Sequence, residues 1–213
     1  MEIQIKGTII PNDDKDIYEF FGYESTCPND VANALENAEN DKIDIYINSG
    51  GGDIFSATEI YSAIQKHKDN VKIHVVGLAA SAASVIMCAA ENDISTTSMV
   101  MIHNVSSIAQ GNFKDFKHES ETLRKADRAM CQAYVDKSGK SESDFLPLMD
   151  KETWFTAQEA VDIGLCDKVV GRDVLINGYC SFVTDEQRKQ FENAKVKAKA
   201  QIRLEKLKGD VKI

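Results

Sequence analysis

The chain of 213 residues has 43% hydrophobic and 28% charged residues, the composition of a globular protein that can bury one sizeable core. Its net charge of −9 argues against a general attraction to nucleic acid, and no apolar run reaches the roughly 18 residues that a membrane span needs. The opening MEIQIKGTII has neither the basic region nor the cleavage site of a secretory signal, so we expect a cytoplasmic protein without a membrane partner. Five scattered cysteines without a C-x-x-C pair predict reduced thiols, and we expect neither a metal nor a cofactor.

Charge is distributed unevenly between two parts of the chain. Residues 185–213 hold nine Lys and Arg against five Asp and Glu, a net charge of +4, and residues 1–184 are left with −13. We expect residues 1–184 to form one domain and residues 185–213 to form a basic helical tail, because the tail is rich in helix formers and poor in large apolar residues. The tail could be a solvated helix or a docking arm for an acidic partner or a neighbouring subunit.

Strands and helices are predicted to alternate along the first 184 residues. Strands are expected at 3–10, 43–48, 71–77 and 99–104, and helices at 29–40, 53–68, 81–91 and 113–137. A capping box at Thr156 and Glu159 predicts a short helix that ends at Gly164, and Asn177-Gly178 predicts a hairpin. This alternation is typical of an α/β fold with a largely parallel sheet.

Active sites of parallel sheets gather at the loops that follow the carboxyl ends of strands. The first unusual loop is NSGGGD at residues 48–53, where three glycines let backbone N–H groups approach a ligand closely. The same glycines could simply form a tight turn between a strand and a helix. The loop is not a phosphate-binding P-loop, because no G-K-[ST] follows.

The second loop is GLAAS, which places Ser81 at the start of a helix among small residues. Its hydroxyl could be a helix N-cap, or a nucleophile beside free N–H groups that would stabilise an oxyanion. His103 ends the strand MVMIH and could be a core histidine or the general base that such a nucleophile requires. Acids are too numerous for spacing to choose a third member. Cys88 is a poor candidate nucleophile, because it is expected on a core face.

Four segments together resemble, in order, the signature segments of the ClpP family of serine peptidases. They are INSGGGDIFSATEIYSAI, VVGLAASAASVIMCAAEN, MVMIHN and FTAQEAVDIGLCDKVV, and the resemblance covers roughly residues 40–170. It implies an α/β fold of the ClpP/crotonase type, a spiral of β-α-β units with a projecting handle helix at residues 113–137. It also implies a serine endopeptidase that works through a triad and an acyl-enzyme.

Carried over by position, the resemblance assigns roles to individual residues. Ser81 matches the nucleophile and His103 the general base, and Gly52 and Ala82 match the donors of the oxyanion hole. Asp150 is the best match for the triad acid, with Glu152 as the runner-up, because MDKETWFTA is about two residues shorter than the family's stretch. Ser84 has no catalytic match and is expected to pack inside a helix.

The resemblance also implies partners. It predicts a homo-oligomeric ring of six or seven subunits, alone or as two stacked rings, with peptides or unfolded proteins as substrates. The family's N-terminal axial extension has no counterpart in the sequence, so an unfoldase ATPase partner stays open. Residues 6–35 resemble the phage and prophage branch, which is linked to capsid maturation and would process capsid or scaffold proteins. The alternatives are a crotonase-like acyl-CoA enzyme and a catalytically silent assembly protein.

Overall fold

A computed structural model of the chain describes residues 1–38, 42–171 and 183–209, with side chains described as far as residue 198. The strands are β1 (Glu2–Ile9), β2 (Ser25–Thr26), β3 (Ile43–Gly52), β4 (Val71–Ala80), β5 (Glu91–Ser95), β6 (Met99–Ile102), β7 (Thr153–Thr156) and β8 (Val169–Val170). The α-helices are α1 (Lys15–Phe20), α2 (Pro28–Asn37), α3 (Ile54–Lys66), α4 (Ala82–Ile86), α5 (Phe113–Ser138), α6 (Glu142–Asp150), α7 (Ala157–Asp162) and α8 (Asp185–Gly209). Two short 3-10 helices cover Asn12–Asp14 and Met87–Ala89.

The strands form a mainly parallel sheet in the order β2-β1-β3-β4-β5-β8. The first half of β4 pairs with β5, and its last three residues, from Leu78 to Ala80, pair instead with β6, which in turn pairs antiparallel with β7. The carboxyl ends of β4 and β6 therefore meet at one edge. This arrangement confirms the predicted α/β fold with a parallel sheet.

The core is built largely from alternate residues of the central strands, which point to one face of the sheet. Ile5, Ile45, Ile47 and Ile73 are all 0% exposed. Burying each such side chain stabilises the fold by about 1.5–3 kcal/mol. Because the central strands are fixed in this core, the loops at their carboxyl ends start from rigid positions.

Helix α5 is the predicted handle. Its 26 residues begin at a capping box between Asn112 and Asp115 and end at Gly139, whose φ of 71° is the left-handed conformation that glycine favours. Its last turns pack into the core, where Met130 and Tyr134 are buried, whereas Phe113 and Phe116 near its start are 76% and 52% exposed. The amino-terminal part of α5 thus projects from the domain with apolar side chains exposed.

Several elements differ from the sequence predictions. The helix expected at 81–91 is wrong at its end: α4 stops at Ile86, and residues from Glu91 onward form β5. A short apolar run fits a helix or a buried strand equally well by periodicity, and here the Asn92 side chain fixes the strand by donating to the Met87 and Leu165 carbonyls. Helices α1 and α6 and strands β2, β7 and β8 were not predicted. The hairpin expected at Asn177-Gly178 lies outside the described residues.

The tail forms helix α8, and its first turns are not simply solvated. Val183 and Phe191 pack against a small second cluster whose buried members are Ile10, Ile17, Tyr18 and Cys27.

Cys27, Cys88, Cys131 and Cys166 are free and buried, and Cys180 lies outside the described residues. Among the described helices, none is both long enough and apolar enough to cross a bilayer.

Candidate active site

Ser81 joins the end of β4 to the start of α4 through an unusual backbone conformation. Its φ of 54° and ψ of −124° lie in a region that L residues rarely adopt, so the turn is strained. Two backbone hydrogen bonds hold it there: its N–H donates to the Met101 carbonyl on β6 at 2.9 Å, and its carbonyl accepts from the Ser84 N–H at 2.9 Å. The strand pairing therefore fixes the position of the serine relative to β6.

The glycines of residues 50–52 make room for this turn. A Cβ added at Gly51 would lie 2.7 Å from the Ser81 Cβ and 2.9 Å from the Ala82 nitrogen, closer than real Cβ contacts. Gly51 also has a φ of 96°, which favours glycine over any other residue. Close approach to the serine turn, and not only a change of chain direction, requires glycine here.

The Ser81 side chain contacts His103. The Oγ and Nε2 atoms are 2.7 Å apart, and Ser81 makes no side-chain cap to α4. The N-cap alternative for the Ser81 side chain is therefore wrong, and so is the alternative of His103 as an enclosed core histidine, because the ring is half-buried and lines the same cleft. A hydroxyl that can donate to an imidazole nitrogen is the geometry that activates a serine.

Three carboxylates are candidates for orienting the His103 ring. The sequence analysis named two of them, Asp150 and Glu152. Asp150, the last residue of α6, accepts a 2.8 Å hydrogen bond from the Asn104 amide nitrogen. Glu152 is exposed and accepts from the Trp154 indole N–H at 3.3 Å. Among the described residues, Ser81 supplies the only hydrogen bond to the His103 ring, so neither carboxylate touches the imidazole in this structure.

Asp127 on α5 is a third carboxylate, which sequence reasoning missed. Its Oδ1 accepts a 2.6 Å hydrogen bond from the Val105 N–H, two residues after His103. The pKa of Asp127 is raised above its ordinary value, mainly by burial and also by the negative charge of Asp150. The Val105 N–H and His103 act in the opposite direction. Asp127 and Asp150 therefore lie within electrostatic reach of each other and hold the backbone and side chain that follow the histidine.

Behind the serine turn lies a buried hydroxyl pair. Ser84 is 0% exposed, and its Oγ donates to the Ser81 carbonyl at 2.6 Å and lies 2.7 Å from the Tyr134 hydroxyl. Ser84 does pack inside the helix as expected, but it also ties the nucleophile turn to α5. Tyr134 is the second residue that sequence reasoning missed, because its spacing on α5 indicated only an apolar stripe.

Ser81 and His103 open into a cleft of about 520 Å³. Gly52 and Ala82 line the same cleft. Ala82 is the first residue of α4, so its N–H has no partner within the helix and is available to a ligand. Most of the remaining lining is apolar and includes Ile10, Val85, Met101 and Met130.

Cys88 does not compete with Ser81 as the nucleophile of this site. Cys88 is buried, donates to the Ser84 carbonyl at 3.3 Å and does not line the cleft, and burial raises the pKa of its thiol far above the ordinary range. In the described parts of the chain, no group of three or more His, Cys, Asp or Glu residues could hold a metal ion.

The chain is similar to known proteins in the same region. The Clp protease family model matches residues 28–173, which is more than half of the chain. The ATP-dependent Clp protease proteolytic subunit 1 of Protochlamydia amoebophila is 34% identical over 129 residues, covering 58% of this chain and 63% of that protein. The ATP-dependent Clp protease proteolytic subunit of Bacteroides fragilis is 34% identical over 131 residues, covering 60% of this chain and 63% of its own length. These two alignments span less than two thirds of each relative. The family-model match contains Ser81, His103 and all three carboxylates, and the chain belongs to the Clp protease family.

Proposed function

We propose that the protein is a serine endopeptidase with Ser81 as its nucleophile and His103 as its general base. The observation that carries this proposal is the 2.7 Å contact between the Ser81 Oγ and the His103 Nε2 at the mouth of a cleft. His103 would take the hydroxyl proton as Ser81 attacks a peptide carbonyl, and would then give that proton to the leaving amine. Water activated by the same imidazole would release the acyl group and restore the serine.

The backbone around Ser81 suits the oxyanion that forms in this attack. The Ala82 N–H at the start of α4 and the Gly52 N–H at the end of β3 are the proposed donors, as the family resemblance implies. Such donors lower the barrier because they are already oriented when the charge appears. The strained φ of Ser81 supports the role of the Ala82 N–H as a donor. It lets helix α4 begin directly after Ser81 while the serine hydroxyl stays in the cleft.

Asp150 is the proposed third member of the triad. In the structure it lies next to the histidine segment through Asn104 and does not yet reach the ring. Catalytic hydrogen bonds are often long in unliganded enzymes and tighten with substrate, so we propose that the carboxylate moves to the His103 Nδ1 when substrate binds.

We propose a ring-shaped homo-oligomer as the working form. The projecting part of α5 exposes Phe113 and Phe116, and Ile108 in the preceding loop is fully exposed at 101%. Large apolar side chains that are exposed on a projecting element suit a protein interface, where burial would remove them from water. A ring of six or seven subunits, single or stacked in pairs, would enclose the active sites and restrict access to peptides and unfolded chains.

The biological substrate we propose is a phage capsid or scaffold protein, processed in the cytoplasm. The resemblance of residues 6–35 to the phage and prophage branch supports this proposal. Both relatives are named as subunits of an ATP-dependent protease, and on that ground an ATPase partner is part of the proposal for this chain.

The peptidase proposal is tested by hydrolysis of a short fluorogenic peptide with Leu or Met before the scissile amide, chosen because the cleft is mostly apolar. Ser81→Ala should lower kcat by about 10⁴-fold or more, and His103→Ala almost as much, since triad members act as a unit. Ser62→Ala, on the exposed side of α3, is the matched control and should keep wild-type activity.

Activity retained in Ser81→Ala would contradict the proposal, and hydrolysis of an acyl-CoA thioester alone would favour the crotonase-like alternative. A folded protein with no hydrolysis of either would favour the silent assembly protein.

A further inference from the structure

One wall of the cleft comes from the segment between β1 and β2. Ile10, Pro11, Asp14 and Tyr18 line the same cleft as Ser81 and His103. These four residues precede residue 28, where the match to the Clp protease family begins. The wall is therefore built from a part of the chain that the shared family region does not contain.

This wall is a short segment, held on one side by hydrogen bonds of Ile10, Asn12 and Lys15 to residues 25–30. It consists of one 3-10 turn and the six residues of α1, and its apolar side chains form a cluster separate from the main core. On one side, Lys15 donates to Asp30 at 2.6 Å and anchors α1 to α2. A segment this short needs further contacts to keep a fixed position, because its few buried residues offset little conformational entropy.

The first turns of α8 supply those contacts. The Arg188 guanidinium donates two hydrogen bonds to the Asp14 carboxylate, from Nη1 at 2.7 Å and from Nη2 at 2.8 Å. The Gln187 amide donates to the Tyr23 hydroxyl at 2.8 Å, and the Phe191 ring packs edge-on against Phe20 with centroids 5.3 Å apart. A bidentate Arg–carboxylate pair fixes orientation as well as distance.

We infer that helix α8 positions the substrate-binding wall of the cleft, with Arg188 as the positioning residue that holds Asp14 and, through α1, Tyr18. This inference rests on the proposed peptidase function. Arg188 does not line the cleft itself, and the Ser81–His103 pair is held by β4, β6 and the main core, to which none of the described α8 side chains contributes. Loss of Arg188 should therefore weaken substrate binding and leave the chemical step intact.

The test compares Arg188→Gln with Lys189→Gln in steady-state hydrolysis of the fluorogenic peptide. Lys189 is the adjacent residue of the same helix, is exposed and makes no ion pair among the described contacts. Lys189→Gln therefore removes the same charge from α8 without breaking the contact to Asp14. Arg188→Gln should raise KM about five- to tenfold with kcat within twofold of wild type, while Lys189→Gln changes neither. Arg188→Lys keeps the charge without the bidentate geometry and should give an intermediate KM. Equal KM values for the two glutamine variants, or a fall in kcat with KM unchanged, would overturn the inference.

A binding measurement separates this inference from the peptidase proposal. In the Ser81→Ala background, the dissociation constant of a dye-labelled copy of the same peptide is measured by fluorescence anisotropy, with and without Arg188→Gln. Arg188→Gln should weaken binding by the same five- to tenfold factor even though neither protein turns over. If wild type proves inactive, the peptidase proposal fails and this binding ratio alone decides the role of α8; a ratio of one contradicts it. Circular dichroism of each variant confirms that the fold is intact.

Discussion

Tyr134 on the handle helix and Ser84 on α4 share a buried hydrogen bond of 2.7 Å. Because the Ser84 hydroxyl also donates to the Ser81 carbonyl, the pair connects the base of α5 to the turn that carries the proposed nucleophile. The polar contact lies among apolar residues, where an unpaired hydroxyl is costly. The two hydroxyls therefore differ in what their removal leaves behind.

Ser84→Ala should destabilise the protein more than Tyr134→Phe. Ser84→Ala leaves the buried Tyr134 hydroxyl without a partner, which costs about 1–3 kcal/mol, whereas Tyr134→Phe leaves Ser84 still donating to Ser81 and costs about 1 kcal/mol. The free energy of unfolding in urea measures both. The opposite ranking would show that the Tyr134 hydroxyl has another partner when Ser84 is removed.

The carboxylates around His103 should differ in their effect on kcat. Asp150→Asn should lower kcat about 10²- to 10⁴-fold, because an acid that orients the imidazole is lost. Asp127→Asn should lower it less, about tenfold, since this residue acts through the Val105 backbone, and Glu152→Gln should have little effect, because its carboxylate bonds to Trp154. A larger loss for Asp127→Asn than for Asp150→Asn would transfer the orienting role to the handle helix.

Phe113→Asp with Phe116→Asp should reduce the size of the oligomer. Both side chains are exposed, and acidic residues are compatible with the first turns of a helix, so α5 itself should persist. Sedimentation velocity at micromolar concentration should show a wild-type species of about 140 kDa or more, as expected for six or more chains in a closed ring, and a smaller species for the double variant. Phe113→Leu with Phe116→Leu keeps the apolar contact and should preserve the assembly. A wild type that sediments as one chain of 23.6 kDa would contradict the ring proposal.

The contact between Asp14 and Arg188 should stabilise the protein only above acidic pH. The hydrogen bonds from Arg188 lower the pKa of Asp14 below its ordinary value of 3.8, and its charge lowers it further, against the raising effect of burial. A group whose pKa is lower in the folded state contributes stability above its unfolded pKa and loses that contribution as pH falls through the folded pKa. The difference in unfolding free energy between wild type and Arg188→Gln should be constant above about pH 5 and shrink below about pH 4. A difference that persists unchanged to pH 3 would show that Asp14 is not its source; Lys189→Gln serves as the control.

The sequence could predict the sheet and the pairing of Ser81 with His103, because both residues follow strands whose carboxyl ends meet at one edge of a parallel sheet. It could not predict the φ of Ser81, since that conformation depends on the bond from Ser81 to Met101 in another strand. Asp127 was indistinguishable from the other acids of a charged helix until the fold placed it next to Val105. The pair formed by Asp14 and Arg188 joins residues 174 positions apart, and no local pattern encodes such a contact.

The nucleophile is the central claim, and covalent labelling tests it most directly. The purified wild-type protein is treated with a fluorophosphonate, which reacts with activated serines, and the modified residue is identified by mass spectrometry of its peptides. We predict a single phosphonylated serine at Ser81, with labelling strongly slowed in His103→Ala because the hydroxyl has lost its base. Labelling at Ser84 or any other residue, or no labelling of a folded wild-type protein, would contradict the assignment of Ser81 as an activated nucleophile.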